Sequence, residues 1–384
     1  MNKVLILGCG TQGLSLARRL KILNYYVYLI GEKNNYADRS RYLDHKYYTS
    51  HKPLSQEYLP LVLDVITKHK IDTIIPMGDV NAEFLSINKG TLLKYVKYKM
   101  PDYDVFMNAT DKNRLMSLCA QKGYPHPYTI NSFDDIHSIK KENLTFPLLI
   151  KPNITCGARG MTLVHSYEEL IEKYPLIRNE YGDCHLQKYV RQGGAQVEVQ
   201  LYIDENQKLI NSSVIYKYRW YPEKGGSSCC AVSVRNDEIV NVLFNLLKDL
   251  KWVGFADFDT IEDPDTGELL IMELNPRVPA CVKTAIEAGI SWGEIIANDY
   301  LGKEQKVYIY KEGEYLRHLG FELLWFMKSP NRFKTKPSWF HFIGKHIHYQ
   351  DMSDWSDPMP FLTGTWRNIK KVISHTEKSK INRT

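Results

Sequence analysis

No apolar run in these 384 residues reaches the ~20 residues that a bilayer-spanning helix needs. Cysteine is sparse and unpatterned. There are 7, an odd number with no metal-type spacing, and the adjacent Cys229-Cys230 makes a poor disulfide and no zinc site. Reduced thiols in a cytoplasmic protein are therefore expected. Nor does Met1-Asn-Lys-Val-Leu-Ile-Leu-Gly8 have the length or uninterrupted apolar core of a signal peptide. A Ser-His-Asp or Cys-His constellation is lacking too, which leaves no enzyme nucleophile to nominate.

Acidic excess is also absent, since the formal net charge is +6. The surplus is confined to one end. From Leu301 onward there are 15 basic and 8 acidic residues, which leaves 35 of the 50 basic and 36 of the 44 acidic residues for the first 300. Such a tail fits a phosphate-bearing substrate or an anionic membrane face, and equally a solvated basic surface. No nucleic-acid partner is expected. The hydrophobic share of 43% is ordinary for a folded soluble chain, and the length allows two or three domains.

Chemistry concentrates in Leu269-Leu-Ile-Met-Glu-Leu-Asn-Pro-Arg-Val-Pro279. Its apolar residues predict a buried strand. Glu273 and Asn275 lie two apart and share a face. Two hard oxygen donors suit a Mg²⁺ ion that also keeps phosphate and water ligands. Arg277 continues the alternation toward those phosphates. A preceding strand, Val253–Ile261, offers a third oxygen at Asp259. The turn-rich Glu262–Glu268 between the two predicts a hairpin that brings Asp259 near Glu273.

This arrangement resembles the metal-binding hairpin of the ATP-grasp superfamily, in which an acid on one strand, Glu-x-Asn and a following Arg hold Mg²⁺ on ATP. The resemblance covers roughly residues 1 to 301. It implies an α/β chain with an ATP-grasp fold and an N-terminal Rossmann-like domain. The implied division is 1–108 Rossmann-like, 109–301 ATP-grasp with a flap subdomain at about 115–190, and 302–384 a basic, Trp-rich extension. The implied cofactors are ATP and Mg²⁺, with Mn²⁺ as a substitute.

Taken in order, Lys3–Leu7, the Gly8-x-Gly10-x-x-Gly13 turn, a helix and Tyr26–Ile30 make a βαβ opening. Such a turn serves NAD or simply close helix packing. Glu32 only loosely meets the acid expected after the second strand. In ATP-grasp chains this domain helps bind the other substrate. Asp79, after the strand Ile71–Pro76, is a substrate-site candidate or a helix cap. The segment from Asn108 reads as a capped helix closing at Gly123, and it resembles the Asp-Lys helix of ATP-grasp chains whose basic residue, here Lys112, meets ATP phosphates. Lys151 ends an apolar strand, where an ammonium is costly unless it meets an anion. The loop after it, with Thr155, Gly157, Arg159 and Gly160, can fold over phosphates. It is no Walker A loop, because Gly-Lys-Ser/Thr is absent.

By the same resemblance Gln187-Lys188-Tyr189-Val190 is the adenine hinge, with a Gln carbonyl accepting from the adenine amino group. Gln196 or Glu198 meets the ribose, and Ile261 lies beside the nucleotide. Arg219 precedes a Tyr-Pro, Gly225-Gly226, Ser227-Ser228 loop that resembles the carboxylate–amine ligase branch, and with Arg277 and Lys151 it is the expected catalytic set. The extension holds four of the seven tryptophans, Trp325, Trp339, Trp355 and Trp366. Its Asp357-Pro-Met-Pro360 resembles tails of ligases in surface-polymer pathways. Membrane-surface contact is one use of such a tail, packing back on the core is the plainer one, and the final dozen residues are expected to be disordered.

The implied reaction is ATP-dependent ligation of an amine or amino acid to a small or sugar-linked carboxylate through an acyl phosphate. Related ligases are often dimers, so a homodimer is expected. Two rivals stand beside it. One is a carbamoyl-phosphate-synthase-like kinase of bicarbonate or carbamate. The other is a non-catalytic nucleotide- or NAD-binding protein using Gly8, Gly10 and Gly13.

Overall fold

The computed structural model describes residues 1–155, 157–221, 227–350, 356–364 and 366. The buried runs β1 (Lys3–Leu7), β2 (Tyr26–Gly31), β3 (His45–Tyr48) and β4 (Thr73–Pro76) form a parallel sheet in the order β3-β2-β1-β4. Connections between parallel neighbours need crossovers. Here α1 (Thr11–Ile22) links β1 to β2 and α2 (Tyr58–His69) links β3 to β4. Gly13 is required at the β1–α1 turn, because a Cβ there would lie 2.9 Å from the Gly8 carbonyl oxygen. The helices α3 (Asp79–Ile87), the short α4 (Lys89–Leu92) and α5 (Tyr103–Thr110) lead out of this domain.

After α6 (Lys112–Lys122) comes a small antiparallel sheet. It contains β5 (Thr129–Ile130), β6 (Leu148–Pro152), β7 (Thr162–Val164) and β8 (Cys184–Lys188) in the order β5-β8-β6-β7, and α7 (Tyr167–Tyr181) packs on it. This unit has its own core, with Leu148, Ile150, Leu170, Tyr174 and Leu186 at its centre.

The largest sheet runs β13-β12-β9-β10-β11-β14-β15. Its strands are β9 (Gln196–Ile203), β10 (Leu209–Tyr221), β11 (Ser227–Val234), β12 (Gly254–Glu262), β13 (Leu269–Asn275), β14 (Tyr315–Arg317) and β15 (Ile347–Tyr349). Alternation divides it into two faces. Val197, Val199, Leu201 and Phe258 are buried on one face in the same core as Ile239, Leu243, Leu246 and Leu247 of the amphipathic α8 (Asp237–Asp249), which packs on β9 and β10. The opposite face is polar. Helices α9 (Val282–Glu287) and α10 (Trp292–Tyr300) join the sheet to α1 through the main core.

The segment beyond residue 301 is part of the fold. Strand β14 pairs with β11, β15 pairs with β14, and α11 (Leu319–Lys328) packs on β10 and β11. Arg219 on β10 and Arg317 on β14 both pair with Glu322 of α11, at 2.7 and 2.9 Å, and all three side chains are buried. Asp357 accepts from Arg18 of α1 at 3.1 Å and from Ser40 at 2.6 Å. The tail therefore packs back on the core. Among the described residues no helix is long and apolar enough to cross a membrane.

Candidate active site

Register places the acids. Strands β9, β12 and β13 align Glu198, Asp259 and Glu273 in one row across the polar face. The next row holds Gln200, Asp257 and Asn275. Clustered carboxylates on a buried sheet repel one another and need cations. Lys217, projecting from β10, lies 2.8 Å from Glu198 Oε2 and 2.8 Å from Asp259 Oδ1. Burial alone would lower its pKa, but Asp259 and Glu198 outweigh burial and hold the ammonium well above its ordinary range. Burial likewise tends to raise Asp259, and Lys217 overrides it, so this carboxyl stays below its ordinary value. Asp257 feels Arg277 and Lys217 only weakly. Burial, then Glu198 and Asp259, push it well above the ordinary range, and its Oδ1 has no hydrogen-bond partner.

Arg277 leaves β13 to bind Asp79 Oδ1 through Nε at 3.0 Å and Asn275 Oδ1 through Nη2 at 3.3 Å. Burial opposes its charge, but Asp79 and Asp257 raise it further above its already high value. Asp79 therefore joins the site through Arg277, from the first turn of α3.

A second cationic group faces the first from the flap side. Lys112 follows the Asp111 N-cap of α6, lies 3.2 Å from Glu273 Oε2, and donates to the Thr155 carbonyl at 2.6 Å. Lys151 ends β6, is buried, and donates to Gln187 Oε1 at 2.9 Å. Burial pulls its pKa down to about 8 against the attraction of Glu273. In the flap, Thr155 Oγ1 donates to the Arg159 carbonyl at 3.1 Å, and Gly157 and Gly160 take the positive φ values +65° and +73°. At Gly160 a Cβ would strike Pro152 and Tyr181 at 2.8 Å, so glycine there serves packing as well as the turn.

Three of the expected site residues are held by partners within the chain. Arg219 is not brought to this site, because its guanidinium is held in the buried pair with Glu322 and donates to the Pro337 carbonyl at 2.6 Å. The glycine loop expected to act with it, residues 222–226, lies outside the described residues, as do residue 156 and the final dozen. The Gln187 carbonyl is engaged by Lys151, so it is not presented alone to an adenine. Glu198 belongs with Lys217 and the acid row, where its Oε1 also accepts from Cys281 Sγ at 2.5 Å. Of the remaining hinge residues, Lys188 is exposed, Tyr189 donates its N–H to the Pro147 carbonyl at 3.2 Å, and Val190 is buried. Gln196 and Ile261 lie opposite each other on β9 and β12.

Lys217, Asp257 and Cys281 were not picked out from the sequence. For Lys217 the signal was present: it is a lysine in an apolar, aromatic strand, the same argument that singled out Lys151. The register shifts between Lys217 and Arg219, and this irregularity separates the two cations into different surroundings.

The polar face opens into a cavity of about 340 Å³. Glu198, Lys217, Asp257, Asp259, Asn275 and Arg277 line one part of it. Thr11 and Tyr36 of the N-terminal domain and His318, Phe321 and Gln350 of the extension complete the lining. No group of three or more His, Cys, Asp or Glu side chains among the described residues is spaced to hold a metal unaided. Asp259, Glu273 and Asn275 nonetheless supply only hard oxygen donors, two of them now facing ammonium groups of Lys112 and Lys217. That chemistry fits a divalent ion sharing its ligands with phosphates.

Residues 111–290 match the family described as carbamoyl-phosphate synthase L chain, ATP binding domain. The carbamoyl phosphate synthase large chain, C-terminal section, of Methanopyrus kandleri is 22% identical over 205 residues, 50% of this chain and 38% of that one. D-aspartate ligase of Enterococcus faecium is 23% identical over 231 residues, 55% of this chain and 54% of that one. The chain thus spans about half or less of these curated relatives. The biotin carboxylase domain dimer of Hydrogenobacter thermophilus 2-oxoglutarate carboxylase, solved with MgADP and bicarbonate, superposes with a TM-score of 0.66 at 19% identity, covering 82% of this chain and 73% of that one. The fold is shared at that distance. The chain thus has the ATP-grasp fold of these structures, and its residues 111–290 match the ATP-binding domain of the carbamoyl-phosphate synthase L chain.

Proposed function

We propose that this protein is an ADP-forming ligase that activates a carboxylate as its acyl phosphate and transfers the acyl group to an amine. The observation that carries this reading is the single polar sheet face on which Glu273 stands in one row with Glu198 and Asp259, while Glu198, Asp259 and Asn275 line one cavity with Lys217 and Arg277. A carboxylate does not react with an amine at neutral pH, because oxide is too poor a leaving group. Phosphorylation by ATP replaces oxide with phosphate, and the protein then contributes positioning and charge neutralisation.

Lys112, Lys151 and the flap around Thr155, Gly157 and Gly160 hold the nucleotide phosphates, with Lys188, Tyr189, Val190, Gln196 and Ile261 along the nucleoside. Asp259, Glu273 and Asn275 would hold Mg²⁺, and the ion would supply charge neutralisation to the phosphates. Lys217 and Arg277 present fixed cations to the carboxylate and to the oxyanion formed when the amine attacks.

The test uses a carboxylate labelled with ¹⁸O. Acyl-phosphate chemistry delivers one labelled oxygen into the released phosphate and produces ADP. Formation of AMP and pyrophosphate contradicts the proposal. The match to the carbamoyl-phosphate synthase domain favours one second reading, phosphorylation of bicarbonate. Turnover driven by bicarbonate with no organic acid selects it.

A further inference from the structure

Part of the cavity is built by the segment beyond the 111–290 match. Leu316 of β14, His318 and Phe321 at the start of α11, and Gln350 after β15 all line it. Gln350 is 6% exposed. Its backbone N–H donates to the Arg317 carbonyl at 2.9 Å, which fixes where the side chain begins. Its Nε2 has no hydrogen-bond partner among the described residues. An unsatisfied buried donor is costly and calls for an explanation such as a ligand that accepts from it. Asp257 Oδ1 is the other such atom among the residues lining the cavity. One cavity therefore holds an unused donor on the extension and an unpaired carboxyl oxygen on the strand face. Leu316 and Phe321 add apolar surface beside the donor.

We infer that the extension forms the subsite for the amine substrate, and that Gln350 selects amines carrying a carboxylate or carbonyl oxygen, an amino acid rather than a plain amine. The inference rests on the ligase reading. The amino group is directed to the Asp257 and Arg277 side, where the acyl phosphate forms, and the oxygen accepts from Gln350 Nε2. The cavity of about 340 Å³ is at the small end of ligand sites, which suits one amino acid.

The experiment measures KM for L- and D-amino acids beside methylamine, ethylamine and ethanolamine, in the wild type and in Gln350→Leu. The expected result is a wild-type preference for an amino acid over its plain counterpart. In Gln350→Leu that amino acid's KM rises about 10- to 100-fold, the worth of one hydrogen bond to a charged group, while the KM for ATP stays within about twofold. An amino-acid KM unchanged by Gln350→Leu overturns the inference. Gln350→Glu, which keeps the size and reverses the polarity, serves if the leucine variant melts early, and it must weaken the amino acid as well. Absence of turnover in the wild type counts against the ligase reading alone. Calorimetry of the same amino acids in the presence of MgADP then decides the subsite: binding lost in both variants supports it, and no binding to the wild type overturns it.

Discussion

Lys217 neutralises the acid row, and its removal tests that role. Lys217→Met leaves Glu198 and Asp259 facing each other on a buried face without their shared cation. Removing one partner of a buried charge pair costs about 3–5 kcal/mol. The variant is expected to unfold at lower urea than the wild type and to lose ATP-dependent phosphate release. Full activity would remove Lys217 from the site. Lys151 supplies a pH dependence. Its folded pKa of about 8 lies below the ~10.4 of a free lysine. Between those values the unfolded chain binds the proton that the folded one does not, so folding stability rises with pH across that window. Nucleotide binding follows the opposite course. Anionic phosphates need the charged ammonium, so ATP affinity falls by up to about tenfold per pH unit above about 8, with proton uptake on binding. Titration calorimetry in buffers of different ionisation enthalpy measures that uptake. A pH-independent affinity, or the same profile in Lys151→Met, contradicts the assignment.

Single strands and helices were legible where they carried their own period. Gln196–Ile203 and Leu269–Asn275 are strands with the bounds that alternation and buried runs predict, and Gly123 ends α6 in the left-handed conformation. The Asp259–Glu273 pairing followed from one hairpin turn. Partnerships that cross many residues were less legible. Nothing local to Tyr216–Trp220 tells that Lys217 meets Glu198 and Asp259, or that Arg219 meets an acid 103 residues away. Charge and aromatic context nominated the strand, and the irregularity between Lys217 and Arg219 decided which cation turned to the cavity. A prediction at this scale concerns the β10–α11–β14 joint. Arg219→Ala leaves Glu322 and Arg317 to rearrange in a buried setting and is expected to cost about 3–5 kcal/mol of stability. The loss should be non-additive with Glu322→Ala in a double-mutant cycle. Loss of turnover at unchanged stability would return Arg219 to the catalytic set.

At the scale of the whole chain, one cavity gathers residues from three regions: Thr11 and Tyr36, the central sheet, and the extension through His318, Phe321 and Gln350. Asp357 holds the first region to the last through Arg18, Ser40 and the Arg41 backbone N–H. Asp357 of the Asp-Pro-Met-Pro stretch thus has a structural job. Asp357→Ala should lower the melting temperature and raise the KM of the non-nucleotide substrates more than that of ATP, measured by calorimetric scanning and steady-state kinetics. An unchanged melting temperature would show that the joint contributes nothing. The central claim is that the polar sheet face drives ATP-dependent ligation. Its most direct test is phosphate release from ATP with Mg²⁺ against a panel of amino acids and carboxylates, for the wild type and Glu273→Ala. The account predicts release that depends on a particular acid and amine and is abolished in the variant. Release that persists in Glu273→Ala, or ATP binding with no turnover across the panel and with bicarbonate, would contradict it.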